Sequence, residues 1–231
     1  MNAQRPSPTN RREASIQFGA VIIVVLVLAA LCYLLFPRIG SRPHRERSKA
    51  AVVIRSILNA LKSYEVDHGH FPKVGQPRNA SEKFVITGES TVGTSLGNEA
   101  IFDVLRAIPR GANANHALNP KKQIYFEEIK ATNPQQPQDG FADGPEFAPE
   151  VQGRLFDPWG SQYCIVMETD DDGMLNLGSI YKDLADPDLE LRYRVVAFSL
   201  GKDKAPGGPN YRGYFLEPNS TAAPDDIASW R

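Results

Sequence analysis

The sequence has little of several features that define common protein classes. Its 231 residues include only two cysteines. Because Cys32 lies in an apolar run far from Cys164, we expect no structural disulfide. No repeat of fixed period is visible, which excludes solenoid folds. A composition of 42% hydrophobic and 23% charged residues also excludes wholesale disorder.

Motifs for nucleotide binding and nucleophilic catalysis are missing as well. The stretch GESTVGTS, which begins at Gly88, lacks the lysine of a P-loop. Ser161 and Cys164 follow Asp157 closely, but no histidine is near in sequence and no nucleophile elbow surrounds them. A membrane-bound hydrolase would need a histidine or a second acidic residue to converge on them in the fold. We therefore expect a protein that is not an enzyme.

Positive and negative net charge are separated along the chain. Residues 1–49 carry 8 Lys or Arg against 2 acids, a net charge of +6, and residues 50–231 carry 18 against 25, a net charge of −7. Nucleic-acid-binding domains are basic, so an acidic body argues against a nucleic-acid partner. Residues 141–190 alone hold 12 acids and 2 bases, which attracts divalent cations nonspecifically.

One long uncharged stretch lies near the N-terminus. From Ile16 to Phe36 no residue is charged, and a helix of this length spans roughly 30 Å of hydrocarbon. We therefore predict a transmembrane helix over residues 16–36 after a basic leader, residues 1–15. A cleaved secretory signal is the alternative, but the apolar run is too long and no small-x-small site follows it.

The chain after the span has the pattern of a helix followed by antiparallel strands. Residues 37–72 predict a basic stalk and an amphipathic helix that ends near His68, before Gly69 and Pro72. Its apolar face comprises Ala50, Ile54, Ile57, Leu61 and Tyr64. Residues 73–231 form the globular domain. Within it we expect strands at 84–87, 123–126, 163–168 and 192–199, a helix capped by Asn98 that runs to Ile108, and an irregular loop over 133–158.

Three segments in sequence order carry a family resemblance. They are the anchor followed by ILNALKSYEVDHGHFP (residues 57–72), DPWGSQY (157–163), and FSLGKD (198–203) with the terminal DDIASW (225–230). Together they resemble the type II secretion major (G-type) pseudopilin of the type IV pilin superfamily. The resemblance implies an α+β, pilin-like fold: a long N-terminal helix, half membrane-spanning and half amphipathic, packed on a small antiparallel sheet with a calcium-type C-terminal loop.

The same resemblance implies a function without catalysis. Such a subunit assembles with itself and with other pseudopilins, on an inner-membrane secretion platform, into a periplasmic pseudopilus for protein export. The implied location is the bacterial inner membrane, single-pass, with the C-terminal domain in the periplasm. The basic residues after the span favour the opposite orientation by charge counting, and we give the resemblance precedence.

The N-terminal region departs from the family pattern. Superfamily members begin the mature helix with Phe after a cleaved Gly and carry Glu at the fifth mature position. Alignment on Pro37 places Ser15 at that Gly, Ile16 at the Phe and Ala20 at the Glu. Ser15 and Ile16 are thus the candidate processing junction. The alternative function is a non-polymerising, membrane-anchored envelope protein with a pilin-like calcium-binding domain, accessory to secretion.

The resemblance also implies a Ca²⁺ site in the C-terminal loop. It assigns the carbonyls of Leu200 and Ala205 and the carboxylates of Asp203, Asp225 and Asp226 as ligands. Calcium takes six to eight hard oxygen ligands and tolerates irregular geometry, so a Gly- and Pro-rich loop can wrap it. From spacing alone, the alternative is that Asp203 makes a turn and Asp225 caps a short helix over 227–230.

Two further groups have metal-ligand character and weaker spacing. The first group has oxygen-bearing side chains and a glycine at the positions of an EF-hand loop: Glu168, Asp170, Asp172, Gly173 and Asn176. Ser179 stands where the bidentate Glu of an EF-hand belongs, so we favour a solvated hairpin turn. The second is the pair His68 and His70, which could bind zinc on a strand. Because Gly69 separates them at a helix end, we expect turn residues there.

Overall fold

The computed structural model describes residues 24–26, 28, 42–94, 96–181, 189–206 and 226–230. The chain divides into two compact units, Met1–Glu46 and Arg47–Arg231. In the first unit the described residues, 24–26, 28 and 42–46, are helical. The junction Ser15–Ile16 and most of the predicted span over 16–36 lie outside the described residues. Within the described ranges, no helix is long and apolar enough to cross a membrane.

The first long element is helix α1, Arg42–His68. The five residues predicted to form its apolar face are all buried, at 0–2% exposure, which confirms the helical period read from the sequence. Gly69 has φ +78° and donates its N–H to the carbonyl of Glu65 at 2.7 Å. A left-handed residue after the last turn is the usual end of a helix, and the predicted end near His68 is confirmed.

Eight strands and a second α-helix follow among the described residues, and most of the strands are short. A four-stranded antiparallel sheet has the order β1-β4-β7-β8, and β2-β3 and β5-β6 form two antiparallel pairs. The elements are β1 (Phe84–Thr87), α2 (Glu99–Leu105), β2 (Gly140–Phe141), β3 (Leu155–Phe156), β4 (Cys164–Glu168), β5 (Leu175–Asn176), β6 (Glu190–Leu191), β7 (Val195–Ser199) and β8 (Ile227–Ala228). The predicted strand at 84–87 is confirmed, and those at 163–168 and 192–199 are confirmed with later starts.

The central sheet is buried on both faces. On one face, Ile165 and Met167 of β4 and Val195 and Ala197 of β7 belong to the core that contains the apolar face of α1. On the other face, Val166 and its neighbours pack with residues from the 175–181 segment. Alternate residues of β4 and β7 therefore pack in two separate hydrophobic cores. The described domain is a mixed helix-and-sheet structure.

Two predicted elements differ from the structure around α2. Residues 123–126 are not a strand, because the N–H groups of Tyr125 and Phe126 both point to the carbonyl of Leu105, at 2.8 and 3.3 Å, rather than to a ladder. Asn98 makes no side-chain cap; its amide instead donates to the carbonyls of Leu155 and Tyr163. The helix ends at Leu105 rather than Ile108.

The prediction of an irregular loop over 133–158 is wrong in part, because it contains β2 and β3. Gly140 has φ +148°, and a Cβ there would lie 2.4 Å from the carbonyl oxygen of Ile129. The missing side chain lets the 129–131 segment approach β2, and Phe141 then donates to Ile129 at 2.9 Å. Glycine here permits pairing rather than breaking it.

Candidate functional site

Pairing of β7 with β8 brings together the two segments assigned to the calcium loop. Phe198 pairs with Ala228 and Ser199 with Ile227. Continued by one residue, this antiparallel register sets Leu200 opposite Asp226. The LGKD segment and the C-terminal segment are therefore neighbours in space. Asp225 lies outside the described residues.

Asp226 is a buried carboxylate with a partner that the sequence analysis missed. It is 5% exposed, and its Oδ2 accepts a hydrogen bond from the Tyr181 hydroxyl. Tyr181 is itself fully buried and packs edge-on against Phe198 and Trp230, with ring centroids 5.4 Å apart in both cases. The i, i+3, i+4 spacing of Leu177, Ile180 and Tyr181 was the available signal that this tyrosine faces the core.

Asp203 lies at the exposed end of the same loop. Its Oδ1 accepts the N–H of Ala205 at 3.0 Å, which is the turn expected from spacing alone. A carboxylate has two oxygens, so a turn does not exclude metal ligation. The other half of that alternative, a short helix over 227–230, is wrong, because Ile227 and Ala228 form β8.

Asp157 connects the 157–161 turn to Ser199, the last residue of β7 before the 200–205 loop. It is fully buried; its Oδ1 accepts the N–H groups of Trp159 and Ser161, both at 2.9 Å, and its Oδ2 accepts the Ser199 hydroxyl at 2.6 Å. Ser199 Oγ in turn accepts the N–H of Gly201 at 3.1 Å. Burial raises the pKa of Asp157, although these hydrogen bonds oppose the rise. The DPWG and FSLGKD segments are thus joined through one carboxylate.

The assigned loop residues carry oxygen donors of the type that Ca²⁺ takes as ligands. Leu200 and Ala205 have carbonyl oxygens, Asp203 and Asp226 have carboxylates, and the Tyr181 hydroxyl lies beside Asp226. Oxygen donors of this kind, on an irregular loop, match what Ca²⁺ prefers over Zn²⁺ or other soft-ligand metals.

The second acidic group, Glu168 with Asp170 and Asp172, does converge. One oxygen of each lies within 4.8 Å of the others. However, Lys83 Nζ lies 2.8 Å from Asp170 and 3.0 Å from Asp172, and Arg194 pairs with Glu168. The protein's own cations neutralise this cluster, which supports the solvated-turn interpretation.

The histidine pair does not converge on a metal site. His68 stacks on Tyr64, with ring centroids 4.2 Å apart, and its Nε2 lies 3.3 Å from the Tyr125 hydroxyl. His70 Nδ1 is 2.8 Å from the carbonyl oxygen of Phe71. Within the described ranges, the one group of three or more metal-capable side chains contains neither histidine.

The two candidate nucleophiles lie in the core. Cys164 and Ser161 are 0% and 1% exposed. Burial raises the pKa of the Cys164 thiol, which keeps the thiol protonated at neutral pH. Among the described residues, the Ser161 Oγ has no hydrogen-bond partner and the Cys164 Sγ donates to the carbonyl of Gln162 at 3.9 Å, so no histidine is bonded to either side chain.

Replacing His68 should weaken the acid sensitivity of folding. Burial first, and then Lys121, lower the pKa of His68 below its ordinary 6.5, while Asp67 opposes them. A lowered pKa in the folded state means that stability is present above 6.5 and is lost as the pH falls below it. We expect the melting temperature to fall less between pH 7.5 and pH 5 in His68→Phe, which keeps a ring on Tyr64. Lys62→Gln, an exposed substitution on the same helix, serves as the control and should retain the wild-type slope. An equal slope in His68→Phe contradicts the prediction.

No protein family, no curated protein and no solved structure matches this chain. By its fold and candidate site, the described part of the chain is a mixed helix-and-sheet domain whose C-terminal loop is rich in oxygen donors.

Proposed function

We propose that this chain is a pilin-like structural subunit of a type II secretion, or type IV pilus-like, apparatus that assembles into a periplasmic pseudopilus for protein export. The observation that carries the proposal is the packing of helix α1, Arg42–His68, on one face of the antiparallel sheet β1-β4-β7-β8. In that order of elements, the chain closes with a strand next to an oxygen-rich loop. This is the order that the three family-like segments imply.

The helical residues 24–26 and 28 support an anchored subunit. Val24, Val25, Leu26 and Leu28 are helical and each is more than half exposed, at 57–63%. Four exposed aliphatic side chains on helical residues are costly in water and suited to lipid. The proposed partners are further copies of the chain, other pseudopilins and the inner-membrane secretion platform, with the C-terminal domain in the periplasm.

Calcium belongs to the proposal as a structural ion. The residues that would hold it are the five that the resemblance assigns: Leu200, Asp203, Ala205, Asp225 and Asp226. Bound there, the ion would supply charge neutralisation to the carboxylates and fasten the loop to β8.

The alternative is a non-polymerising, membrane-anchored envelope protein, accessory to secretion. Ala20 favours it, because the family's Glu at this position pairs with a neighbour's N-terminal amine inside the low-dielectric membrane, where such a pair counts most. Both functions use the same fold, and they differ in whether the leader, residues 1–15, is cleaved.

Processing at the leader separates the two functions. We expect intact mass and N-terminal sequencing of protein recovered from its native host to give a chain that begins at Ile16. Ser15→Asp should block cleavage, because it places a charge at the scissile bond, whereas Ser7→Asp in the leader should not. Full-length protein that begins at Met1 in the wild type would favour the accessory function.

A further inference from the structure

The face of α1 that points away from the core carries positive charge and exposed aliphatic groups. One row of residues follows a 3, 4, 3, 4 spacing along this face: Val52, Arg55, Asn59, Lys62 and Val66. We call this row the α1 stripe. All five residues are exposed, and the two valines are 61% and 85% exposed.

The positive charge of the α1 stripe is not neutralised by the described part of the protein. From residue 47 to residue 64 the helix has no acidic residue. Glu65, the first acid after this stretch, contacts Arg194. Arg55 and Lys62 form no ion pair with other described residues. Both cations therefore face solvent and are open to an anionic partner.

The sequence before α1 ties the stripe to a membrane. The predicted span ends at Phe36, six residues before Arg42, which is at most roughly 20 Å of extended chain. Between the span and the stripe, the sequence has five basic residues and one acid: Arg38, Arg42, Arg45, Arg47 and Lys49, and Glu46. Lys49 is paired with Asp139. Basic segments next to a span attract anionic lipids, by about a fivefold factor in affinity for each Lys or Arg near the surface.

We propose that the α1 stripe lies against the anionic phospholipid headgroups of the membrane that holds the predicted span. The proposal rests on the membrane anchor of the proposed function and adds the surface by which the domain meets the lipid. Arg and Lys side chains leave their charges among the headgroups while their aliphatic stems and the two valines reach the acyl boundary. Residues 50–231 have a net charge of −7, so an anionic surface repels the domain as a whole and favours contact through a basic face.

The contact requires α1 to lie along the membrane surface. If α1 stood upright, Lys62 would be about 30 Å beyond Arg42, which is several Debye lengths at physiological salt. The sequence allows the chain to turn before α1, because Pro37 and Gly40 both disfavour a continuous helix. The distance from the middle of the stripe to the headgroups is therefore the quantity to measure.

Fluorescence of the full-length chain in lipid nanodiscs tests the contact. In a Cys32→Ser background, Asn59→Cys carries an environment-sensitive label, and Cys164 stays unlabelled because it is fully buried. Discs of phosphatidylglycerol or of phosphatidylcholine contain a small share of lipid with a spin label on its headgroup, which quenches fluorescence at short range. We expect the label at position 59 to be quenched in phosphatidylglycerol and much less in phosphatidylcholine. The quenching should be lost at 1 M salt, where the Debye length is about 3 Å.

A second labelling site controls for general contact of the domain with lipid. Thr91→Cys places the same label on an exposed residue of the 3₁₀ turn Ser90–Val92. Val92 of this turn packs in the core on the opposite face of the sheet from α1. The label at position 91 should therefore remain unquenched in both kinds of disc.

Charge substitutions establish the cause. Arg55→Gln together with Lys62→Gln should lower the quenching at position 59 in phosphatidylglycerol more than about tenfold, because two charges that each contribute about fivefold are removed. Arg55→Lys together with Lys62→Arg keeps both charges and should preserve the quenching.

The outcomes separate this proposal from the function on which it rests. Equal quenching at positions 59 and 91, or equal quenching at position 59 in the two lipids, overturns the lipid contact and leaves the anchor standing. Release of the wild-type chain from native membranes by alkaline carbonate overturns the anchor itself, and the proposed function with it. If position 59 is unquenched and the two glutamine substitutions instead abolish chemical cross-links between copies in native membranes, the stripe is a contact between copies and the lipid contact is wrong.

Discussion

Asp157→Ala is expected to lower the free energy of unfolding by about 3–5 kcal/mol, a large part of the stability of a domain of this size. The substitution removes the acceptor for the N–H groups of Trp159 and Ser161 and for the Ser199 hydroxyl. The Ser161 N–H and the Ser199 hydroxyl are buried and the Trp159 N–H is part-buried. Each unsatisfied buried group costs about 1–3 kcal/mol. The carboxylate also links the 157–161 turn to the end of β7, so both would loosen together.

The matched control for this prediction is Asp157→Asn. Its Oδ1 can still accept both N–H groups, and its amide can donate to Ser199 Oγ, so we expect a loss within about 1 kcal/mol. Because burial raises the pKa of Asp157, the aspartate contributes stability that is present at low pH and lost as the pH rises through the raised pKa. The cost of asparagine should therefore shrink from pH 4 to pH 7.

Urea unfolding of the full-length chain, followed by circular dichroism, measures both variants. A lower midpoint with an unchanged slope attributes the loss to stability rather than to a less compact state. Ser199→Ala, which removes one of the three donors, should give an intermediate loss. If alanine and asparagine at position 157 lower the midpoint equally, the hydrogen bonds are not the cause.

The parts of the fold that leave a local signal in sequence were predicted well. The helical period of α1 is visible because its five apolar positions are all buried against one core. Strand β1 is predicted with its observed bounds, since FVIT is a short apolar run between polar segments. Pairing of β4 with β7 follows from two such runs joined by an acidic turn-rich segment.

The missed features depend on residues that are distant in sequence. Asn98 could cap a helix or bond elsewhere, and only the approach of Leu155 and Tyr163 decides between them. Strands β2 and β3 have two residues each and exist because they pair with each other. No local pattern marks either choice, because the partner is supplied by the tertiary fold.

The candidate site shows the same division. The segments at 200–205 and 225–226 were assigned through the family resemblance. The partner of Asp226 was not predicted, because Tyr181 lies 45 positions away in sequence. For the acidic cluster, the spacing of Asp170 and Asp172 indicated at most a weak EF-hand-like site, and a solvated hairpin turn was the favoured interpretation. The spacing did not predict that Lys83, from the chain just before β1, would neutralise them. The sequence shows which residues are charged, but it does not show which of them pair in the fold.

Withdrawal of calcium is expected to lower the melting temperature of the full-length chain by about 5–10 °C. A ligand at about 100 times its dissociation constant stabilises the folded state by about 2.7 kcal/mol, and each kcal/mol shifts the melting temperature of a domain of this size by about 2–4 °C. Addition of EGTA to the wild-type protein, followed by excess Ca²⁺, should produce and then reverse this shift.

Asp203→Asn is the sharpest variant for the loop. Asparagine can still accept the N–H of Ala205, so the turn is preserved and only the ligand charge is lost. We expect the calcium response to fall by more than half in this variant and to vanish when Asp226→Asn is added. Glu150→Gln, an exposed position in the 3₁₀ turn at 149–151, removes the same charge elsewhere and should leave the response intact.

Two further variants distinguish calcium binding at this loop from a general loss of stability and from binding at the other acidic cluster. Tyr181→Phe removes the hydroxyl beside Asp226 and should lower stability with and without calcium, since its hydrogen bond exists in the protein alone. Asp170→Asn tests the rival acidic cluster, where Lys83 already supplies the positive charge. If Asp170→Asn abolishes the calcium response and Asp203→Asn does not, the ion binds at the β4–β5 turn. If EGTA leaves the wild-type melting temperature unchanged, the calcium assignment fails, and the Asp226–Tyr181 hydrogen bond then joins the start of β8 to the 175–181 segment without an ion.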